Sequence, residues 1–118
     1  MKKILFVLRK SPHSGAYVQE ILDIIMTVSA FDQEVSLLLL DNAVFQLKKH
    51  QKPETADLKD TAAMYKALPL YNINTIYAET ESLQERGLST NSLDETVLEV
   101  PRNKVAKLFK QFDLVLTG

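Results

Sequence analysis

Cysteine is absent from this sequence. That removes disulfides, thiolate metal sites and thiol nucleophiles from consideration at once, and it suits a reducing compartment. Neither sign of charge is in excess: 14 Lys and Arg stand against 15 Asp and Glu, a formal net charge of −1. There is thus no overall basic field to draw in nucleic acid. No apolar run approaches the roughly 20 residues needed to span a bilayer. The one stretch that imitates a leader, Ile4-Leu5-Phe6-Val7-Leu8 behind Lys2 and Lys3, is short and is ended at once by Arg9 and Lys10. Only two histidines occur, His13 and His50. Without cysteine they make a poor metal set, even with Asp41 added. The expectation is a soluble, cytoplasmic protein that meets neither membrane nor nucleic acid directly and carries no cofactor.

What is present is ordinary globular composition, 46% hydrophobic and 25% charged residues in a chain of 118. That length suits one domain, 1–118, able to bury a core without staples. Residues 4–8 are a continuous apolar run rich in β-formers, the pattern of a strand buried on both faces, and residues 35–40 (VSLLLL) read as a second buried strand. Between them, Ser11-Pro12-His13-Ser14-Gly15 breaks the pattern as a strand-to-helix loop. Residues 16–30 then place Val18, Ile21, Leu22, Ile24, Ile25 and Val28 at mostly helical spacing. Asp41-Asn42 reads as a turn or cap. Residues 43–47 read as a short helix, followed by an exposed loop through Lys48-Lys49-His50 and Gln51-Lys52-Pro53. Residues 57–70 carry Leu58, Ala62, Met64, Tyr65 and Leu68 at loosely helical spacing, with Pro69 ending or kinking the helix. A third strand is predicted at 75–78 and a helical turn at 82–86, with Gly87 as its stop. After a polar loop at 88–94 comes a fourth strand at 96–100. Pro101 suits the first turn of a helix that runs to 111, with Val105, Leu108, Phe109 and Phe112 inward. A fifth strand follows at 113–117. Alternation of strands and helices argues for an α/β fold: a three-layer α/β/α domain with a mostly parallel five-stranded sheet.

In such a sheet ligands gather at the carboxyl ends of the strands. This directs attention to residues 9–15, 41–47, the stretch after Tyr77, and the far end of the fifth strand. The first loop holds Arg9, Lys10, Ser11, His13, Ser14 and Gly15. Backbone N–H groups at a helix start, with two cations beside them, suit an anion, so a small flavodoxin-like nucleotide- or flavin-binding domain is one reading. The loop has neither the P-loop pattern nor the several glycines of a dinucleotide loop. The plainer reading is a solvated connection whose serines cap a helix. His13, with an ordinary pKa of about 6.5, is either a base beside a partner's reactive group or an exposed loop histidine. No Gly-x-Ser-x-Gly elbow exists. Glu79 with Glu81, and Asp94 with Glu95, fall in polar stretches and read as a solvated face. Arg9 and Lys10 occupy the place where a receiver domain needs acids. Val44-Phe45-Gln46-Leu47 follows a turn at a strand's functional end. It either packs onto the sheet or presents a partner-binding patch, which Val97, Leu98 and Val100 extend. The candidate interface is Val44, Phe45 and Leu47 with Arg9, Lys10 and His13.

Several segments, in the same order over nearly the whole chain, resemble the DsrE/DsrF-like family, and within it the TusC or DsrF-type branch. They are KKILFVLRKSPHSG at the start, VFQL with Gln51-Lys52-Pro53 shortly after, Leu70-Tyr71-Asn72-Ile73, Ser82-Leu83-Gln84-Glu85-Arg86-Gly87-Leu88, and Phe112-Asp113-Leu114-Val115-Leu116. The combination of Pro12-His13, VFQL with QKP, and ERGL carries most of the resemblance. It implies a three-layer α/β/α fold. It also implies a complex with TusB-like and TusD-like subunits, a dimer of heterotrimers, acting between TusA-like and TusE-like proteins. That complex relays persulfide sulfur toward 2-thiolation of the wobble uridine of certain tRNAs; related DsrEFH proteins serve sulfur oxidation. The sulfur-carrying cysteine belongs to the TusD-like subunit. Two departures stand out: Asn42-Ala43 replace a common Asp-Gly before Val44-Phe45, and Ser14 displaces a glycine, with Gly15 following. Because persulfide relay needs a nucleophilic thiolate, a cysteine-free member is expected to be a non-catalytic subunit, contributing surface and electrostatics rather than enzymatic chemistry.

Overall fold

The computed structural model describes residues 2–10, 17–31, 33–47, 65–73, 75–89 and 97–117. Its centre is a five-stranded sheet: β1 (Lys3–Leu8), β2 (Glu34–Leu39), β3 (Thr75–Glu79), β4 (Leu98–Val100) and β5 (Leu114–Thr117). The spatial order is β4-β3-β2-β1-β5, and every pair is parallel. The chain therefore steps outward from β1 to β4 and then returns across the whole sheet to set β5 against the other side of β1. Asp113 fastens that return. Its carboxylate accepts the Lys3 N–H at 2.8 Å, and its own N–H donates to the Lys3 carbonyl at 2.8 Å.

Beyond their first residues, β1 and β2 are apolar at nearly every position, Ser36 excepted, because both faces of the sheet are covered. Alternate residues Ile4, Phe6, Leu8, Val35, Leu37, Leu39, Ile76 and Ala78 join one core with Leu22 and Ile25 of α1 (Tyr17–Ser29). The intervening Leu5, Val7 and Leu38 join a second core with Leu108 of the helix Val105–Phe109, and Val105, Phe109 and Phe112 pack against it. Burying each such side chain contributes roughly 1.5–3 kcal/mol. The predicted three layers are present. One residue of the predicted α1 stripe is not inward: Ile24 is half exposed, because 3.6-residue periodicity carries it away from the arc held by Leu22 and Ile25.

Short elements differ more from expectation. The short helix read over 43–47 is present as a 3-10 turn that starts two residues earlier, Asp41–Leu47. Pro69 breaks its helix as expected, the α-helical stretch giving way after Ala67. It lies within a 3-10 turn, Leu68–Tyr71, closed by Asn72 in the left-handed conformation (φ 64°). The Ile73 N–H returns to the Leu68 carbonyl and the Asn72 N–H to the Pro69 carbonyl, each at 3.1 Å, which satisfies orphan carbonyls at the turn's end. The segment Thr80–Glu85 is α-helical and ends in the same way. Gly87 (φ 68°) follows it, the Leu88 N–H donates to Leu83 O at 2.9 Å, and the Gly87 N–H donates to Gln84 O at 3.1 Å. Gly87 is thus the expected stop, and buried Leu83 and Leu88 share the core beneath it. Pro101 precedes a 3-10 turn, Arg102–Lys104, and the α-helix proper is only Val105–Phe109.

Candidate functional site

The parallel register brings the carboxyl ends of four strands to one edge: Leu8 pairs with Leu39, Leu39 with Ala78, and Glu79 with Val100. Arg9, Asp41, Thr80 and Arg102 therefore leave the sheet side by side. Polar groups concentrate there because the backbone leaves strand geometry and needs partners beyond the ladder.

Glu79 is the hub. It is 5% exposed, the one carboxylate among the buried described residues. Its Oε1 accepts Nη2 of Arg102 at 3.0 Å, Nε of Arg102 at 3.2 Å, and the Ser82 hydroxyl at 2.6 Å. Arg102 also donates Nη2 to Glu85 at 2.9 Å, and its backbone N–H meets the Glu81 carboxylate at 2.9 Å. One arginine thus ties the turn after β4 to three carboxylates on β3 and the helix Thr80–Glu85. Ser82, fully buried, accepts the Asp41 N–H at 2.8 Å. Arg86 donates to the Asn42 side chain at 2.9 Å and to the Ser82 carbonyl at 3.2 Å. Asn42 therefore anchors the turn to the neighbouring helix.

Burial pushes the Glu79 carboxyl up, but hydrogen bonds from Arg102 and Ser82 and the charges of Arg102 and Arg9 outweigh it and hold the group below its ordinary 4.5. The same contacts hold the Arg102 guanidinium more firmly protonated than usual. The folded state therefore prefers ionised Glu79. Its contribution to stability is complete above 4.5 and is lost as pH falls through the lower folded value. Urea unfolding over about pH 6 to 3 is expected to show wild type more stable than Glu79→Gln at the upper end, with the gap narrowing below 4.5. A constant gap across that range would count against an ionised Glu79.

The sequence-derived site residues divide into three groups. Arg9 and Lys10 are exposed at the edge just described. Arg9 Nη1 lies 3.9 Å from Asp41 Oδ2, and the Lys10 carbonyl accepts Nε2 of Gln46 at 2.8 Å. Gln46 is buried and also accepts the hydroxyl of buried Tyr65, so the exit from β1 is pinned to the 3-10 turn. Val44 is fully buried, and Phe45 is partly buried against the same core. Of this pair, Phe45 alone keeps an accessible edge in the free chain. Leu47 closes the turn. His13, His50 and the rest of residues 11–16 lie outside the described residues.

Glu79 corrects the reading of Glu79 and Glu81 as a solvated face. Alternation along β3 was the available signal, since Glu79 follows Tyr77 onto the Arg102 side of the sheet. Its partner, 23 residues away, becomes visible only once β3 and β4 are paired. Phe31, Leu70 and Tyr71 are exposed large hydrophobic residues. Leu70 and Tyr71 border a hollow of about 260 Å³ against Ser29, Ala30 and Asn72, at the opposite edge of the sheet. Among the described residues no group of three His, Cys, Asp or Glu is placed to hold a metal, and no helix is long and apolar enough to cross a membrane.

Comparison with known proteins matches the same span. The sequence model of the DsrE/DsrF-like family covers residues 2–117. A TusC homolog of Pseudomonas aeruginosa is 35% identical over 116 residues, 98% of each chain. TusC of Buchnera aphidicola is 35% identical over 121 aligned residues, again 98% of each. The intracellular sulfur oxidation protein DsrF of Allochromatium vinosum is 34% identical over 99 residues, 84% of this chain and 73% of that one. The crystal structure of the YchN protein from E. coli superposes with a TM-score of 0.84 over the whole of both chains at 22% identity, a likeness of fold.

Proposed function

This chain belongs to the DsrE/DsrF-like family, and from that premise we propose that it is a TusC-type, non-catalytic subunit of a sulfur-relay complex. In this reading, cytoplasmic TusB-like and TusD-like subunits surround it as a dimer of heterotrimers. TusA-like and TusE-like proteins deliver and remove the sulfur, which travels as persulfide toward 2-thiolation of tRNA wobble uridine. The carrying observation is the absence of cysteine from a chain that aligns end to end with TusC proteins. Persulfide formation needs a thiolate, so the sulfur atom rests on a companion. This chain supplies surface and charge.

The edge where β1 and β2 end is the part we assign to that companion. Phe45 offers an apolar edge on a turn pinned from three sides. Arg9 and Lys10 bring positive charge beside it. A cation near a thiolate or persulfide favours the anion. Co-expression with a cysteine-bearing and a cysteine-free homologue, followed by size-exclusion chromatography and native mass spectrometry, is expected to yield a stable heteromeric complex. In that complex Arg9→Ala with Lys10→Ala should slow sulfur uptake without dissociating the subunits. Transferable sulfane sulfur on the lone chain, or turnover by it, would overturn the assignment.

The DsrF similarity supports a second reading, in which the same scaffold serves sulfur oxidation. Thiolated tRNA measured after deletion of the gene separates the two: loss of 2-thiouridine supports the first, unchanged 2-thiouridine the second.

A further inference from the structure

Asp41 is held in the left-handed region at φ 53°. Non-glycine residues seldom adopt that conformation, and they persist there when their surroundings enforce it. The enforcing group is visible. The Asp41 N–H donates to the Ser82 hydroxyl at 2.8 Å across 41 residues of sequence. A serine hydroxyl has one proton and two lone pairs. The proton is committed to Glu79 Oε1 at 2.6 Å, so a lone pair is left facing Asp41. Glu79 is itself fixed by two donor nitrogens of Arg102. Ser82 and Glu79 are 0% and 5% exposed, so water does not compete at the middle of this chain of bonds, and each bond polarises the next.

We propose that Ser82 is a positioning residue, and that Arg102, Glu79, Ser82 and Asp41 form one relay through which the turn after β4 sets the conformation of the turn after β2. The relay spans three successive strand exits. Losing its last bond removes the acceptor that holds Asp41, and the 3-10 turn Asp41–Leu47 relaxes from its first residue. Losing its first bond frees Glu79 to turn, after which the Ser82 proton is no longer aimed and its lone pair no longer faces Asp41. The positional claim stands on geometry alone. Its consequence for partner docking rests on the proposed function, because Phe45 rides on the same turn.

The test uses the full chain labelled with ¹⁵N and ¹³C. Ser82→Ala is expected to raise amide hydrogen exchange at Asp41 at least tenfold and to move the Asp41 and Asn42 Cα shifts away from left-handed values. Ser82→Thr, which keeps a hydroxyl, should restore most of both. Arg102→Gln should shift Asp41 in the same direction by a smaller amount, although it lies on a different turn. In an Asp41→Gly background, where φ 53° is unstrained, Ser82→Ala should move Asn42 and Ala43 less than it does alone. Should Ser82→Ala unfold, the Arg102→Gln shift at Asp41 still decides the matter. Arg102→Gln changes confined to residues near 102, or an Asp41 signal untouched by Ser82→Ala, overturn the relay. If Asp41 moves as described and subunit association is unchanged, the relay stands and the docking role of the turn falls.

Discussion

Leu37→Ala is expected to cost about 3–4 kcal/mol, within the range found when a fully buried leucine is cut back and its cavity cannot collapse. Leu37 is 0% exposed on β2, the middle strand, opposite Phe6 of β1 and Ile76 of β3, and it faces the core beneath α1. Rigid ladders on both sides prevent inward relaxation. Against a total stability of roughly 5–15 kcal/mol this is a large share, and a midpoint shift of about 10–15 °C follows. Urea denaturation of both proteins measures it, and a loss below about 1 kcal/mol would show that the cavity closes. Ile24→Ala, on the outward side of α1, should change stability by no more than about 0.5 kcal/mol.

That contrast marks what the residues reveal before any fold is known. Ile24 and Ile25 are chemically identical neighbours, and a count of apolar residues puts both in the stripe. Their angular positions on the helix, about 100° apart, tell them apart. The strands β1 and β2 were legible because burial on both faces makes their runs almost wholly apolar, with Ser36 the one buried polar residue in them. Gly87 was legible because a left-handed stop favours one residue type. The three-layer arrangement and a mostly parallel sheet followed from alternation and from family resemblance together. Glu79 was hidden for the opposite reason. A carboxylate next to Thr80 and Glu81 looks solvated, and the arginine that makes burial tolerable arrives from β4. Val44 and Phe45 are adjacent in one apolar tetrapeptide, yet a 3-10 turn points one wholly inward and leaves the other an open edge. Periodicity does not distinguish a 3-10 from an α turn over seven residues.

Phe45→Ala is expected to weaken association with the companion subunits about a hundredfold, near 2–3 kcal/mol, as for aromatic residues at the centre of an interface. The prediction rests on the edge assigned above. Phe45 is the one side chain of the Val44–Phe45 pair with accessible surface, and Gln46, Asn42 and Asp41 fix the backbone that presents it. A preorganised aromatic loses little freedom on docking. Because Phe45 also touches the core, its thermal midpoint must be followed alongside. Ile24→Ala is the matched control and should bind as wild type. Equal affinities for Phe45→Ala and wild type would move the interface elsewhere, with exposed Phe31, Leu70 and Tyr71 at the opposite edge as the next surface to examine.

The placement of β5 beside β1 has a consequence for how the protein comes into being. The hydrogen bond from Lys3 to Asp113 joins residues 110 positions apart. A ribosome adding roughly 5–20 residues per second delivers the second about 5–20 s after the first. Throughout that interval β1, the most apolar of the strands, has nothing along one side. Nascent chains in this window are the form most exposed to chaperone capture and to mispairing with one another.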